Sequence, residues 1–216
     1  MTHLGKADWS DSDRVKRMAK SYQVRYDQEF WDAFENLVGS GPRQVVADFG
    51  CGPGLLLADL ARRFSAQCAV GVDESAEMLQ YAEASIDHVE TLRTHNLKRA
   101  NLDSAGIPLE DDSVNLGFCG FMLHEVASPK DFIHEVSRVL TNPGVHVVYD
   151  FVSGDKEAFI RIMSSQGMDS ERAEIRYPHM CKHSVRDIEE MLVSSGFGNV
   201  QSIVMNRMRA VVAGFK

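Results

Sequence analysis

The segment VVADFGCGPG, residues 45–54, decides the fold of this 216-residue chain. Its first five residues form a short, largely apolar run that is typical of a buried strand, and a glycine-rich turn follows at once. Glycines let the backbone bend tightly and bring its N–H groups against a ligand. The segment therefore predicts a strand, a ligand-binding turn and, from Leu55 to Phe64, the helix that the turn opens.

Strand and helix patterns alternate through the following residues. Strands are predicted at residues 45–49, 69–72, 91–92, 114–120 and 146–151, and helices at residues 55–64, 75–85 and 129–140. Such alternation is typical of parallel βαβ units, whose helices cover both faces of a buried sheet. Strand-like runs at residues 200–205 and 210–215 predict a hairpin. The fold class is therefore α/β, a doubly wound, mostly parallel seven-stranded sheet with an antiparallel C-terminal edge hairpin.

The sequence predicts one domain made of four parts, without an internal repeat or a long linker. Residues 1–40 form a predicted N-terminal helical lid, because apolar residues recur every three or four positions from Ser10 to Leu37. Residues 41–152 are the predicted ligand-binding half. Residues 153–183 are polar and rich in Arg, His and Met, which suits an inserted cap, and residues 184–216 carry the last helix and the hairpin.

Composition and charge exclude several classes of protein. Hydrophobic residues make up 44% of the chain and charged residues 25%, which is typical of a globular domain. The net charge of −8 disfavours nucleic acid as a partner. An apolar run long enough to span a membrane and a signal-peptide pattern are both absent from the sequence, so we expect no membrane partner and no export. Four widely spaced cysteines predict neither a zinc site nor a disulfide scaffold and favour the reducing cytoplasm.

Residues in and after the glycine turn indicate what it binds. The dinucleotide-binding fingerprint requires a third glycine where this chain has Leu55. The Asp48 carboxylate would repel a diphosphate but attract an amino group, which favours a zwitterionic ligand. Asp73 ends the second predicted strand, nineteen residues beyond Gly54, where a carboxylate can accept hydrogen bonds from both hydroxyls of a ribose. A tight connection and a helix cap are the alternative readings of these two features, but their separation favours a ligand site.

Four segments in order give the chain a resemblance to a known family. They are VVADFGCGPG at 45–54, GVDESAEML at 71–79, NLDSAGIPLEDDS at 101–113 and LTNPG at 140–144. In these segments the sequence resembles the class I S-adenosylmethionine-dependent methyltransferases, especially the small-molecule branch that includes enzymes of ubiquinone and menaquinone biosynthesis. The resemblance covers about residues 43–152 and implies a Rossmann-like methyltransferase fold with S-adenosyl-L-methionine as cofactor.

The resemblance also implies a set of cofactor-binding residues. Asp48 and the backbone of the glycine turn would face the methionyl part of the cofactor. Asp73 would face the ribose, and Asp103 the adenine amino group. The carbonyls of Cys119 and Gly120 would lie beside the methionyl amino group. The complete implied set is Asp48, Gly50, Cys51, Gly52, Gly54, Asp73, Glu74, Met78, Asp103, Ser104, Cys119 and Gly120. Cys51 is expected to act as a small apolar residue and not as a nucleophile.

Candidate groups for catalysis follow the fourth strand. His124 has a side chain that titrates near neutral pH, so it is the candidate base for removing a proton from the methyl acceptor. The alternative is a structural hydrogen bond from His124 to the loop. The neighbouring Glu125 is expected to be solvated and is the weaker candidate.

Candidate acceptor-binding groups lie outside the cofactor half. Tyr22 and Tyr26 would form an aromatic lid, although helical spacing favours plain core packing. The cap supplies polar groups that would bind a polar or anionic acceptor, or else form a solvated surface; these are Arg161, Arg176, Tyr177, His179, Cys181 and His183. A metal on the last three is not expected, because alternate positions of an extended loop rarely give tetrahedral geometry.

The sequence therefore predicts an enzyme that moves a methyl group from S-adenosylmethionine to a small-molecule acceptor by in-line displacement. It does not choose among oxygen, nitrogen, sulfur and carbon as the receiving atom. Two alternatives stay open: a catalytically silent, methyltransferase-like binding subunit and, less favoured, an NAD-dependent oxidoreductase. The expected partner is the small-molecule acceptor, and a homodimer is an open option.

Overall fold

One mixed sheet forms the centre of the molecule. The computed structural model describes residues 18, 20–103 and 106–216. The strands are β1 (Val45–Phe49), β2 (Cys68–Asp73), β3 (Thr94–Arg99), β4 (Val114–Gly120), β5 (Leu140–Phe151), β6 (Asn199–Met205) and β7 (Arg209–Phe215). Their spatial order is β3-β2-β1-β4-β5-β7-β6. Pairs among β1 to β5 are parallel, whereas β7 pairs antiparallel with both β5 and β6. This arrangement confirms the predicted sheet and its edge hairpin.

Helices lie between most of the strands. They are α1 (Tyr22–Arg25), α2 (Gln28–Val38), α3 (Leu55–Arg63), α4 (Ala76–Ile86), α5 (Pro129–Val139), α6 (Lys156–Ser165), α7 (Ser170–Met180) and α8 (Val185–Ser194). Side chains cap several of them: the Asp27 carboxylate accepts from the Phe30 N–H, and the Ser75 hydroxyl accepts from the Met78 N–H. None of the helices in the described ranges is both long and apolar enough to cross a bilayer.

The sheet separates two apolar layers. On one face α2 and α3 cover alternate residues of the central strands, including Val147 and Tyr149 of β5. On the other face α5 and α8 cover the intervening residues, including Val148 of the same strand. Because strand side chains point to opposite faces in turn, a sheet buried on both faces reads as a continuous apolar run. That is why the sequence reveals β1, β2 and β4 directly.

The third strand lies later in the sequence than predicted. The apolar pair at residues 91–92 forms part of a turn, and β3 follows it at Thr94–Arg99. The strand has the sequence THNLKR, none of its side chains is fully buried, and it is an edge strand that pairs only with β2. An edge strand of this kind lacks the apolar run on which the prediction depended. The fifth strand is also longer than predicted, because it begins at Leu140 and passes a register irregularity before His146.

The N-terminal segment contains two described helices. Residues 1–17 of the predicted lid lie outside the described residues, whereas α1 and α2 lie against the sheet. Tyr26 packs against the rings of Phe30, Phe118 and Tyr149, with centroid distances between 5.0 and 6.3 Å. The stripe of aromatic residues is therefore core, as helical spacing favoured, and not an open lid.

The segment 153–183 folds as a helical pair, α6 and α7. A small apolar cluster joins the two helices to the end of β5 and to the β6–β7 turn; its buried members are Phe159, Ala173, Met180, Cys181 and Met208. Ser153 N–H donates to the His183 carbonyl at 2.9 Å, so the ends of the segment are close together. The pair is thus anchored beside the carboxyl ends of the parallel strands.

Candidate active site

A cavity opens at the carboxyl ends of β1, β2 and β4. This is the edge at which open α/β sheets bind ligands. Its volume is about 950 Å³ including the open mouth. The residues that line it are Met18, Arg25, Gly50, Gly52, Asp73, Glu74, Met78, Ala100, Asn101, Leu102, Asp103, Gly120, Phe121, Met122, Glu125 and Val126. Seven of them belong to the predicted cofactor set: Gly50, Gly52, Asp73, Glu74, Met78, Asp103 and Gly120.

Asp73 links two strand ends. Its Oδ2 accepts a hydrogen bond from the Gly52 N–H at 2.8 Å, and its Oδ1 accepts one from the Ser75 N–H at 2.9 Å. Burial raises the pKa of this carboxyl, whereas the two backbone donors oppose that shift. The carboxylate therefore fixes the glycine turn while it faces the cavity.

The glycine turn depends on left-handed backbone at three positions. Gly50, Gly52 and Gly54 have φ values of 79°, 51° and 73°. A Cβ on Gly50 would lie 3.0 Å from the Met122 Cγ, so a larger residue would crowd the cavity wall. A Cβ on Gly54 would instead lie 2.7 Å from the Ala82 Cα. Gly54 is therefore a contact between α3 and α4 and does not line the cavity.

Asp48 lies behind the turn with its side chain buried. Asp48 is 3% exposed, and no lysine, arginine or histidine of the described residues forms a salt bridge with its carboxyl. Burial, with a smaller contribution from the Asp73 charge, raises the pKa of Asp48 to about 8. Asp48 does not line the cavity, and its predicted place beside the methionyl amino group stays a prediction.

The two cysteines of the predicted set lie outside the cavity lining. Burial raises the pKa of the Cys51 thiol well above its usual value, so this cysteine remains a thiol. The Cys119 sulfur lies 3.7 Å from Nε2 of the buried His146. Cys119 belongs to the apolar layer that α5 and α8 cover. The role predicted for Cys119 involves its carbonyl, and it stays a prediction.

The far end of the cavity combines apolar and acidic groups. Met78 is buried and lines the cavity together with the half-buried Leu102. Asp103 Oδ1 accepts from the Ala127 N–H at 2.7 Å, which ties the loop before β4 to the loop after it. An apolar slot with a carboxylate at its edge suits an adenine ring and its amino group. Ser104 lies outside the described residues.

His124 does not line the cavity. Its residue is 6% exposed, its Nδ1 lies 2.7 Å from Asp150 Oδ1, and its backbone N–H donates to Asp150 Oδ2 at 3.1 Å. Burial alone would lower the pKa of this imidazole, but the Asp150 and Glu125 carboxylates offset burial and raise the pKa to about 9. At neutral pH the histidine is therefore cationic. Its predicted role as a base stays a prediction, and any contact with a ligand would pass through its neighbour.

Glu125 is that neighbour, and it lines the cavity. Its Oε1 lies 3.5 Å from Nε2 of His124, and its side chain is 22% exposed. The interaction with His124 is the main cause that lowers the pKa of Glu125 to about 2. Glu125 is expected from the sequence to be solvated; its side chain is 22% exposed and lies against both His124 and His179.

The acceptor-binding residues predicted from the sequence are not in the cavity lining. Tyr22 donates to Asp59 Oδ2 at 2.5 Å, and Tyr26 is packed in the core. Arg161 is exposed, Arg176 is half-buried, and the Tyr177 hydroxyl accepts from the Gly154 N–H at 3.0 Å. His179 alone reaches the edge of the site, with its Nε2 3.3 Å from Glu125 Oε2. Within the described ranges, the one set of side chains close enough to share a metal ion is Glu83, Asp87 and His95, far in sequence from the cap.

Sequence reasoning missed several residues of the lining. Arg25 contributes a guanidinium whose Nη2 donates to the Met18 carbonyl at 3.0 Å and whose Nε is buried without a hydrogen bond to any described residue. Phe121 lies beneath it, with 5.9 Å between the guanidinium carbon and the ring centre. An arginine in a predicted helix gives no local signal that it turns toward a strand end ninety residues later. The pairing is a product of the tertiary fold.

Comparison with known proteins identifies this cavity-bearing half. A family model described as a methyltransferase domain matches residues 47–148. Residues 47–148 belong to the methyltransferase-domain family. The matched segment runs from Ala47 in β1 to Val148 in β5, and it includes the carboxyl ends of β1, β2 and β4, which form the cavity.

Relatives of the methyltransferase domain agree with this assignment. A malonyl-[acyl-carrier protein] O-methyltransferase from Marinomonas sp. (strain MWYL1) is 32% identical over 109 residues, which are 50% of this chain and 38% of that protein. An uncharacterized chloroplastic methyltransferase from Arabidopsis thaliana is 26% identical over 165 residues, 75% of this chain and 45% of that protein. The chain thus spans less than half the length of these relatives.

Solved structures match over nearly the whole chain. A SAM-dependent methyltransferase from Aquifex aeolicus covers 97% of this chain and 99% of its own, with 18% identity and a TM-score of 0.70. A putative S-adenosyl-L-methionine-dependent methyltransferase from Methanococcus maripaludis covers 99% and 97%, with 17% identity and the same TM-score of 0.70. These likenesses confirm the Rossmann-like methyltransferase fold.

The family implies S-adenosylmethionine as cofactor, and the cavity fits that molecule. The turn at Gly50 leaves space that a Cβ would fill, and Asp73 presents a carboxylate where a ribose is expected. The apolar lining at Met78, with the Asp103 carboxylate, suits adenine, and the Arg25 guanidinium would offer a positive charge to the methionyl carboxylate. Charge, shape and hydrogen-bonding groups of the lining therefore agree with this cofactor.

Proposed function

We propose that this protein transfers the methyl group of S-adenosylmethionine to a small-molecule acceptor. The observation that carries the proposal is the cavity in which the glycine turn and Asp73 meet, joined by the Gly52–Asp73 hydrogen bond of 2.8 Å. The Marinomonas relative, named for methylation of a malonyl group on acyl-carrier protein, supports a small acceptor group.

When bound, the cofactor supplies a methyl group on a positively charged sulfur, so the chemistry needs little more than alignment of a nucleophile. Asp73 and Asp103 would hold the ribose and the adenine, and Arg25 and Asp48 the two charged ends of the methionyl part. Gly120, Phe121 and Met122 follow β4 and border the same cavity. The acceptor would enter along these residues, which exclude water with apolar side chains and leave the receiving atom facing the methyl carbon.

A labelled-methyl assay against a panel of metabolites tests the proposal. We expect label to move from S-adenosylmethionine to at least one acceptor and S-adenosylhomocysteine to form in equal amount. The variant Asp73→Ala should lose most of this activity, whereas Glu90→Ala, which changes an exposed residue outside the cavity lining, should keep it. Tight binding of the cofactor without turnover of any acceptor would instead favour the catalytically silent binding subunit.

A further inference from the structure

The cavity contains one acidic side chain that the cofactor contacts leave unused, Glu125. It follows β4 in the sequence and lines the cavity, as do Phe121 and Met122 before it. Asp73 and Asp103, the carboxylates matched to ribose and adenine, follow other strands. Because Gly120, Phe121 and Met122 border the proposed acceptor path, we assign Glu125, in the same loop after β4, to the acceptor side of the cavity.

Two histidines from different elements hold the Glu125 carboxylate. Nε2 of His124, in the loop after β4, lies 3.5 Å from Oε1, and Nε2 of His179, in α7, lies 3.3 Å from Oε2. Each carboxylate oxygen thus has one imidazole partner. The two imidazole rings are 5.8 Å apart and nearly perpendicular. The Glu125 side chain is therefore held by the loop after β4, through His124, and by α7, through His179.

Asp150 in turn fixes His124. It lies in β5, is 2% exposed, and holds both the imidazole Nδ1 and the backbone N–H of His124. Its Oδ1 also accepts from its own neighbour, the Phe151 N–H, at 2.8 Å. Through these contacts the buried Asp150 orients His124, and His124 in turn orients the Glu125 carboxylate, which lines the cavity. Buried charges are retained in a core only when paired in this way.

The ionised state of Glu125 decides which ligand it suits. An ionised carboxylate accepts hydrogen bonds and donates none, so it repels an anion and attracts an ammonium group. The lining around it is apolar, which strengthens an interaction between opposite charges by excluding water. The His124 cation beside Glu125 is balanced by the buried Asp150 carboxylate at 2.7 Å. Among the described residues, the other charges in the lining are Asp73, Glu74 and Asp103, which are negative, and Arg25, which is positive.

We propose that Glu125 binds a protonated amino group of the methyl acceptor, and that Asp150, His124 and His179 are positioning residues for that carboxylate. The acceptor is then an amine-bearing small molecule with an apolar body that packs against Phe121 and Met122. This inference rests on the proposed function, because only a methyltransferase has a methyl acceptor. The contact between Glu125 and an amino group is itself a binding event and can be measured without turnover. It assigns the amino group a place in recognition and no proton-transfer step.

Three matched probes test the binding event. They are 2-phenylethylamine, 2-phenylethanol and phenylacetate, which share an aromatic body and differ in charge. Dissociation constants are measured by ligand-observed NMR, with and without saturating S-adenosylhomocysteine. We expect the amine to bind about tenfold more tightly than the alcohol, with phenylacetate weakest. Equal binding of the amine and the alcohol, preference for phenylacetate, or binding of none of the three would overturn the proposal.

Variants assign the preference to Glu125. Glu125→Gln should remove the preference for the amine over the alcohol. The dissociation constant of this variant for S-adenosylhomocysteine should stay within about twofold of the parent value. Glu110→Gln, which changes an exposed glutamate outside the cavity lining, is the matched control and should keep the preference. His179→Gln changes a side chain that is 55% exposed and should weaken amine binding about threefold without unfolding the protein. Retention of the full preference in Glu125→Gln contradicts the assignment.

The same experiment separates this inference from the proposed function. If the parent protein does not bind S-adenosylhomocysteine, the proposed function fails, and the probe series on the free protein still reports on Glu125. If the cofactor product binds and the amine preference is absent, only this inference fails. A loss of S-adenosylmethionine affinity in Glu125→Gln, without a change for the amine, would show that the carboxylate faces the sulfonium and would overturn the inference.

Discussion

Gly52 and Asp73 are joined by a hydrogen bond of 2.8 Å from the glycine N–H to the Asp73 carboxylate. The bond connects the turn after β1 to the end of β2, the two places where the cofactor is expected to be held. Asp73 thus has two tasks, because it stabilises the turn and also faces the ribose. Its replacement should affect both stability and binding.

Asp73→Ala is expected to weaken binding of S-adenosylhomocysteine by about 1–3 kcal/mol, through loss of charge-assisted hydrogen bonds. It should also lower the free energy of unfolding by about 1 kcal/mol, because the Gly52 and Ser75 N–H groups lose an acceptor. Titration calorimetry and urea unfolding measure the two effects separately. Glu90→Ala is the control, and an unchanged cofactor affinity in Asp73→Ala would remove Asp73 from the site.

Asp48 should release a proton when the cofactor product binds. Its pKa is raised to about 8 by burial and by Asp73, so the carboxyl is mostly protonated at pH 7. An ammonium group beside it favours the ionised form, so binding lowers the pKa and about one proton leaves. Calorimetry in buffers of different ionisation enthalpy counts that proton.

The control ligand for this measurement is 5′-methylthioadenosine, which keeps the adenosine and lacks the amino acid part. We expect it to bind without proton release, and we expect Asp48→Asn to abolish the release seen with S-adenosylhomocysteine. Binding of S-adenosylhomocysteine without any proton release from the parent protein would place the amino group away from Asp48.

The buried Asp150 carboxylate should set the titration of His124. The pKa of His124 is raised to about 9, so its pairing stabilises the folded state fully below about pH 6.5, and this contribution is lost as the pH rises through 9. At pH 6 the contribution is of the order of 3 kcal/mol. Asp150→Asn should therefore return the His124 pKa toward about 6.5, as read from its imidazole NMR signal.

Unfolding measurements provide the second readout for this pair. The pH-dependent part of the stability difference between the parent and Asp150→Asn should disappear above about pH 9. Asp131→Asn changes an exposed aspartate in α5 and should leave both the NMR titration and the stability unchanged. If Asp150→Asn leaves the His124 titration where it was, the pairing does not set the charge of the histidine.

Gly54 should be the least replaceable glycine of the turn for stability. Gly54→Ala places a Cβ 2.7 Å from the Ala82 Cα at a φ of 73°, so we expect a loss of about 3 kcal/mol. Gly167→Ala is the matched control, since φ is 92° there and nothing lies within 4 Å of the added Cβ. The control should lose about 1 kcal/mol, from backbone strain alone. Equal losses in urea unfolding would show that α3 and α4 do not depend on this contact.

Local patterns predicted most of the sheet and seven of the residues that line the cavity. The run before the glycine turn and the pattern around Asp73 are contiguous in sequence, so their chemistry is readable without a structure. The strand THNLKR at 94–99 could not be found this way, because an edge strand needs no apolar run and its pairing with β2 is tertiary.

The acceptor side of the site is harder to predict for the same physical reason. His124 and Asp150 are 26 residues apart in sequence, and they meet because β4 and β5 are adjacent in the sheet. His179 reaches Glu125 only because α7 folds back beside that edge. Interactions of this kind depend on the assembled sheet, so the sequence gave His124 and, as the weaker candidate, Glu125, but not the contacts of these two residues with Asp150 and His179.

A crystal structure with S-adenosylhomocysteine is the most direct test of where the methyl donor sits. We expect both ribose hydroxyls within hydrogen-bonding distance of Asp73, the adenine in the slot beside Met78, and the sulfur near Gly120. Electron density for the ligand at any other surface, or none at saturating concentration, would contradict the assignment of this cavity.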